Sequence, residues 1–313
     1  MTGFLKKIKN KIPIFKKKKK FFKILSIDGG GIKGIFPVTI LNKIKENFDT
    51  VFFKDFDLIA GTSTGAIIAA ALAVDYSVED IANLYETKGK QVFEKNDLSL
   101  KSIYKSRYKT SSLKSLLREK LGDMKMSDVK CKIMIPATDI TNGKGFVFTQ
   151  KNNAISLVDA VLASTAAPLY FNPIKIHESL FVDGGVWANN PSLIALMEVV
   201  GKLNIPVENI KLVSLGTGDS QKTGFFDIKD EEDANWGLIK WNEKIIDLLL
   251  SVPTRSIHKI VEGILDDEHY LRLDFKSEKE ILLDDLSKVS TLKEYAVNEF
   301  ESKRDLITRM LDI

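Results

Sequence analysis

Two glycines enclose Ser63 in GTSTG (residues 61–65), where the apolar run FDLIA gives way to the alanine-rich AIIAAALAV. G-x-S-x-G between a strand and a helix is the nucleophile-elbow pattern. A tight turn there forces the Ser backbone into a strained conformation. Side chains at Gly61 and Gly65 would strike the strand and the helix, hence glycine on both sides. The helix that starts beside Ser63 aims free N–H groups and its positive dipole end at the hydroxyl, favouring developing negative charge. The pentapeptide also arises by chance, and a glycine pair often only lets a chain bend.

A serine hydroxyl needs a base. The chain has three histidines, His177, His258 and His269. A Ser-Asp-His order is available through His258 or His269, but neither has a turn-like setting and each also reads as a surface histidine. Asp183 follows an apolar segment and opens Asp-Gly-Gly in FVDGGVWANNP. Gly184 and Gly185 would allow close backbone approach, whereas the competing reading is a solvated Asp in a β-turn. A carboxylate is a poor base at its reference pKa of about 3.9. Desolvation at an apolar strand end facing an apolar cleft would raise its proton affinity.

Acyl transfer also requires donors for the tetrahedral oxyanion. The segment Asp28-Gly29-Gly30-Gly31-Ile32-Lys33-Gly34 exposes consecutive backbone N–H groups between a strand and a helix. Each such donor can lower the barrier by about 3 kcal/mol, and Lys33 adds positive charge. The same residues fit G-x-G-x-x-G, the dinucleotide fingerprint. That reading expects an acidic residue ending the second strand about 20 positions on. Asp49 has roughly that spacing, but ENFDTVFF is no convincing strand end. No Gly-Lys-Ser/Thr follows, so the segment is not a Walker P-loop.

The elements that must hold these residues are legible in outline. KILSI (23–27) is an apolar strand, and Ile35, Val38, Leu41, Ile44 and Phe48 share one helical face after Gly34. FDLIA is the second strand, followed by the Ser63 helix. Strand, Gly-rich turn and helix, twice over, indicate an α/β fold with parallel strands. Further helices are predicted at 78–95 and 112–121. KIMIPATDI and GFVFTQ read as strands, and SLVDAVLASTAAPLYF as a helix stopped by Pro168. FVDGG and KLVSLGTG supply two more strand-then-glycine turns. From Trp236 the pattern is mainly helical, with one strand in YLRLDF. The charge run 227–235 reads as a solvated loop. One globule over 24–313 is expected, with a motif-bearing core 24–194 and a mainly helical remainder 195–313.

Composition is that of a globular protein: 313 residues, 44% hydrophobic and 28% charged. A single cysteine, Cys131, excludes an internal disulfide and suits a reducing compartment. The net charge of +4 conceals a division. Residues 1–23 hold ten Lys and no acid, leaving 36 basic against 42 acidic residues, a balance of −6. In that tail Phe4, Ile8 and Ile12 recur at i+4 between lysines, and Pro13 limits any amphipathic helix. The pattern suits an anionic membrane surface. A solvated Lys tail and a nucleic-acid contact are the alternatives, the last the least expected. The longest apolar run, residues 66–74, has nine residues, far short of the roughly 20 that span a bilayer. No secretory h-region follows the basic residues. A cytoplasmic protein, peripheral at a membrane, is the expectation.

Taken together and in order, DGGGIKG, GTSTG and DGG resemble the patatin-like phospholipase family of the plant-patatin and bacterial type. The resemblance covers ILSIDGGGIKGIFPVTIL, FDLIAGTSTGAIIA, ASTAAPLYFNP and FVDGGVWANNP, residues 24 to about 194. It implies a three-layer α/β/α fold with a central, mostly parallel sheet. By motif it makes Ser63 the nucleophile and Asp183 the proton acceptor of a Ser-Asp dyad, with Gly29, Gly30 and Gly31 as the oxyanion hole. Lys33 stands where the family often has Arg, so the planar fork is lost while the charge is kept. Gly34, Gly61, Gly65, Gly184 and Gly185 are supporting positions. The implied activity is cleavage of fatty-acyl esters of phospholipids or lysophospholipids through an acyl-enzyme, without metal or organic cofactor. A Rossmann-like module that binds lipid or nucleotide without turnover is the alternative.

Overall fold

The computed structural model describes residues 21–92, 106–220, 244–278 and 281–312. Residues 1–20 of the basic tail, the helix end expected at 93–95, the charge run 227–235 and Trp236 lie outside them.

The described residues open with β1 (Phe22–Ile27), α1 (Ile35–Phe48), a single turn α2 (Phe52–Asp55), β2 (Leu58–Gly61), α3 (Thr64–Ala73), α4 (Val78–Val92) and α5 (Thr110–Leu121). There follow β3 (Lys132–Asp139), β4 (Lys144–Phe148), α6 (Leu157–Thr165), β5 (Ile174–Ile176), β6 (Ser179–Asp183), the turn α7 (Gly185–Ala188), α8 (Ser192–Gly201) and β7 (Ile210–Leu215). The last part holds β8 (Asp219–Ser220), α9 (Lys244–Ile264), β9 (Tyr270–Leu273), β10 (Lys276–Ser277), α10 (Val289–Ser302) and α11 (Arg304–Leu311).

The main sheet runs β5-β6-β3-β2-β1-β7-β9, with β4 also paired to β3. From β3 to β9 every pair is parallel. The β3–β4, β3–β6 and β5–β6 pairs are antiparallel. β1, β2 and β7 are apolar on both faces because helices cover both, as parallel strands require. Leu25, Ile27, Ile59, Ile133 and Val213 pack with α1, α3, α6 and α10 on one side. Ile24, Leu58, Leu212 and Tyr270 pack with α8 and α9 on the other. That is the three-layer architecture the resemblance implies, with the parallel strands expected from the alternation of strands and helices. All of α3 except Ile67 is buried, and its small alanines let it lie close against the sheet.

Three local outcomes differ from the sequence reading. β1 takes in Phe22 and Lys23, so these two residues belong to the sheet and not to the basic tail. The segment PIKIHES forms β5 and a hairpin turn because Ile174 and Ile176 pair with Phe181 and Ser179 of β6. The two-residue strands β8 and β10, too short to show any periodicity, pair with each other.

Two lysines tie the end of the chain to the sheet. Lys23 Nζ donates to Leu311 O at 2.6 Å and pairs with Asp312 at 3.2 Å. Lys211, buried on β7, donates to Arg309 O at 2.6 Å and to Asp312 Oδ1 at 2.5 Å. Partial burial raises the Asp312 pKa, but the bonds to Lys211 and Lys23 outweigh it and the net shift is downward. Asp312 therefore contributes stability above its unfolded pKa and loses it as pH falls through the lower folded value. Lys211→Met should cost about 1–3 kcal/mol at pH 7, with a smaller loss at pH 3. Urea unfolding at the two pH values measures this, and an equal loss at both would contradict it.

Candidate active site

Parallel strands place the carboxyl ends of β1, β2, β7 and β9 along one edge of the sheet, where α/β folds bind ligands. Ser63 stands just past β2, at φ 53° and ψ −120°. A non-glycine residue there costs about 1–3 kcal/mol and persists only if its surroundings enforce it. Ser63 N donates to Ser164 Oγ at 3.0 Å, Thr62 N to Ile27 O at 3.1 Å, and Thr62 Oγ1 to Ala188 O at 2.7 Å. A Cβ at Gly65 would lie 2.2 Å from Ile27 O, and one at Gly61 would lie 2.1 Å from Gly65 O. The steric reason expected for the flanking glycines is thus the one observed.

Register brings the second residue to the first. β2 pairs with β3 only as far as Ala60–Met134. β3 runs on, and from Ala137 its neighbour is the antiparallel β6, with Asp183 opposite Ala137. Where β2 stops and β6 takes over, Ser63 Oγ donates to Asp183 Oδ2 at 2.6 Å. Asp183 Oδ1 accepts from Gly185 N at 2.7 Å, and Thr138 Oγ1 donates to Asp183 O at 2.7 Å. Asp183 is 2% exposed. Burial pushes its carboxyl up to about 7, against the opposing pull of the Ser63 and Gly185 bonds. A carboxylate so placed can take the proton of the hydroxyl it touches.

The glycine loop crosses over Ser63. A Cβ at Gly29 would lie 3.1 Å from Ser63 Cβ. Gly29 N donates to Asn189 O at 3.0 Å, so this N–H is not available to an oxyanion, a correction to its expected place in the hole. Gly30 N and Gly31 N have no hydrogen-bond acceptor among the described residues. Gly31 takes φ +58°, which glycine adopts freely. Half-buried Lys33 lies in the 3-10 turn Gly31–Gly34 that follows, and Gly34 packs against Thr64 and Tyr85. Gly184 lies over Pro136 O, and Gly185 faces Leu250 of α9.

The alternatives raised by the sequence find less support. His258 bonds Tyr270 OH at 3.0 Å and His269 bonds Asp266 at 2.6 Å. No histidine bonds Ser63 or Asp183 among the described residues. β2 ends on Gly61, not on an acidic residue, and Asp49 caps α1 with its side chain in solvent.

A family model described as patatin-like phospholipase matches residues 25–196, more than half of the chain. The chain belongs to the patatin-like phospholipase family. It is a lipid acyl hydrolase. A cGAMP-activated phospholipase of Pseudomonas aeruginosa is 26% identical over 268 residues, 82% of this chain and 79% of that one. One from Escherichia coli is 32% identical over 220 residues, 62% of each chain. Patatin-like protein 2 of Arabidopsis thaliana is 30% identical over 264 residues, 70% of this chain and 64% of that one. In fold the chain resembles VipD of Legionella pneumophila, with a TM-score of 0.50, 12% identity, and coverage of 90% of this chain and 67% of that one.

Several residues of this patatin-like site were not singled out by motif. Ser164, which orients Ser63, lies in ASTAAPLYFNP, where a run of small residues marked the segment but not the residue. Asn189 joins the two loops: its O accepts from Gly29 N, and its Nδ2 donates to Gly29 O at 3.3 Å and to Thr254 Oγ1 at 3.0 Å. Thr217 Oγ1 donates to Gly29 O at 2.6 Å from the turn after β7. Its only signal was a fourth strand-then-glycine turn, KLVSLGTG.

Because the Asp183 pKa is raised on folding, folding favours its protonated form. The penalty for ionisation grows as pH rises from about 4 to about 7 and is constant above. Asp183→Asn keeps both contacts in shape and removes the penalty. It should raise Tm at pH 8, with the gain shrinking by pH 5. A lower Tm at pH 8, or a gain independent of pH, would contradict the assigned burial penalty.

Proposed function

We propose that the protein hydrolyses fatty-acyl esters of phospholipids or lysophospholipids through a Ser63–Asp183 dyad. Ser63 Oγ attacks the ester carbonyl carbon as its proton passes to Asp183 Oδ2. The resulting oxyanion accepts hydrogen bonds from Gly30 N and Gly31 N, at the positive end of α3. Collapse expels the alcohol, which takes the proton back from Asp183 and leaves the acyl group on Ser63. Water, losing a proton to Asp183, attacks the acyl carbon. The fatty acid leaves and Ser63 recovers its proton. The observation that carries this reading is the 2.6 Å Ser63–Asp183 bond to a carboxyl whose pKa lies near 7. A base of that affinity is matched to neutral pH.

Ser63→Ala and Asp183→Asn should each lower hydrolysis of radiolabelled phosphatidylcholine by about 10³-fold or more while the fold is retained. Asp183 works as the carboxylate, so kcat/KM should fall below an apparent pKa near 7. The assay is run with and without cGAMP, the activator in the names of two relatives. A Ser63→Ala protein with full activity would end the proposal. Saturable nucleotide binding with no fluorophosphonate labelling of Ser63 would favour the binding-module alternative.

The same reading extends to the membrane. No described helix is long and apolar enough to cross a bilayer, so residues 1–20, with nine of their twenty positions Lys, are proposed to bring the enzyme to anionic lipid. Since Phe22 opens β1, the deletion should stop at residue 20. Removing residues 1–20 should weaken sedimentation with phosphatidylserine vesicles about tenfold or more and leave hydrolysis of a short-chain soluble ester unchanged. Equal vesicle binding by the shortened protein would reject this role.

A further inference from the structure

β9 lies beyond the residues matched by the family model, yet it reaches the glycine loop. Arg272 on β9 has a side chain 8% exposed. Its Nη2 donates to Asp28 Oδ2 at 2.7 Å and to Asp274 Oδ2 at 2.6 Å, and its Nη1 to Ser214 Oγ at 2.7 Å. Asp28 is where β1 ends and the loop begins. Its side chain is 1% exposed, and Oδ1 has no hydrogen-bond partner among the described residues. The guanidinium is therefore the main compensation for this buried carboxylate. Burial raises the Asp28 pKa to about 7 even against the pull of Arg272.

Asp274 extends the restraint to a second point. Its Oδ1 accepts from Gly218 N at 2.8 Å and from Phe275 N at 3.0 Å. Its carboxyl fills the space above Gly216, where a Cβ would lie 2.1 Å from Asp274 Cγ. The turn fixed in this way carries Thr217, which holds Gly29 O at 2.6 Å. Thr217 also bounds Gly30, where a Cβ would lie 2.4 Å from Thr217 Oγ1. One planar cation thus holds the loop at Asp28 and, through Asp274 and Thr217, at Gly29. A buried ion pair of this kind adds little net stability compared with an apolar replacement. What it supplies is direction, because the guanidinium fork fixes the angle of each partner.

We propose that Arg272 is a positioning residue for ester hydrolysis, aiming Gly30 N and Gly31 N by clamping Asp28 and the Gly216–Gly218 turn. This rests on the assignment of Gly30 and Gly31 as oxyanion donors. The test uses the full chain and the variants Arg272→Gln, Arg272→Lys and Thr217→Val. The measurements are kcat per fluorophosphonate-titrated site, KM, the Ki of a fatty-acyl trifluoromethyl ketone, and amide hydrogen exchange in a peptide covering Gly29–Gly34. Arg272→Gln should lower kcat about 10–100-fold, less than outright loss of an oxyanion donor because the donors remain but are misaimed, with KM within about twofold. The ketone, which binds as a tetrahedral oxyanion, should weaken by the same factor, and exchange in the loop should quicken. Arg272→Lys should not restore kcat, since an ammonium cannot reproduce the fork. Thr217→Val, which leaves the ion pairs intact, should lower kcat about 3–10-fold and add little to Arg272→Gln, as expected for members of one network.

A merely structural Arg272 would instead give fewer titratable sites and a lower Tm with kcat per site and ketone affinity unchanged, and that result would overturn the proposal. So would Thr217→Val with unaltered kcat and exchange. Absence of Ser63-dependent turnover in the parent protein would remove the hydrolase reading. The exchange measurement then decides the clamp: faster exchange in both variants upholds it, and unchanged exchange removes it.

Discussion

Ser63 Oγ and Asp183 Oδ2 meet at 2.6 Å across 120 residues of chain. Nothing local brings the two together. The contact exists because β3 exchanges a parallel neighbour, β2, for an antiparallel one, β6, within its own length. Ser63 leaves the strand that stops, and Asp183 ends the strand that replaces it. The cost of the arrangement is a carboxyl removed from water and a serine at positive φ. Both are tolerated because surrounding groups over-determine them: Ser164 and Ile27 hold the elbow, and Ala166, Thr138 and Gly185 hold the aspartate.

What could be read in the sequence follows from this. The elbow, the glycine loop and the Asp-Gly-Gly turn each announce themselves, because backbone crowding leaves glycine as the only residue that fits. The central strands announce themselves too, being apolar on both faces. Asp183 could be picked out as a candidate base from its Asp-Gly-Gly setting, but a direct dyad with Ser63 depends on a register between distant strands and was supplied by resemblance to a family. Gly29 was indistinguishable from its neighbours in a row of three glycines. Only the Asn189 carbonyl, 160 positions away, separates it from Gly30 and Gly31. β5 escaped notice because three residues show no periodicity, and Phe22 because the lysines before and after it masked the start of the sheet.

Polar groups beneath the loop form a second layer that no motif marked. Arg272, Asp28, Asp274 and Ser214 share one buried cluster, with Ser192 Oγ donating to Ser26 Oγ or Ser214 Oγ at 3.0 and 3.1 Å. These residues come from β1, β7, β9 and the start of α8. Asp28 and Ser192 lie within the matched motif region, and the arginine that unites them lies outside it. The mainly helical last third of the chain therefore contributes one strand whose charge is directed at the chemistry of the first third.

The direction of β1 has a consequence for how such a molecule could sit on a bilayer. β1 runs from Phe22 to the glycine loop, so the basic segment ahead of Phe21 meets the sheet at the rim opposite Ser63. Six residues of strand separate the two rims by about 20 Å. The twenty residues ahead of Phe21 reach at most about 70 Å, ample for doubling back past the sheet. If residues 1–20 meet anionic lipid as proposed, they do so from the rim opposite Ser63, so a single membrane can serve both only across the depth of the sheet.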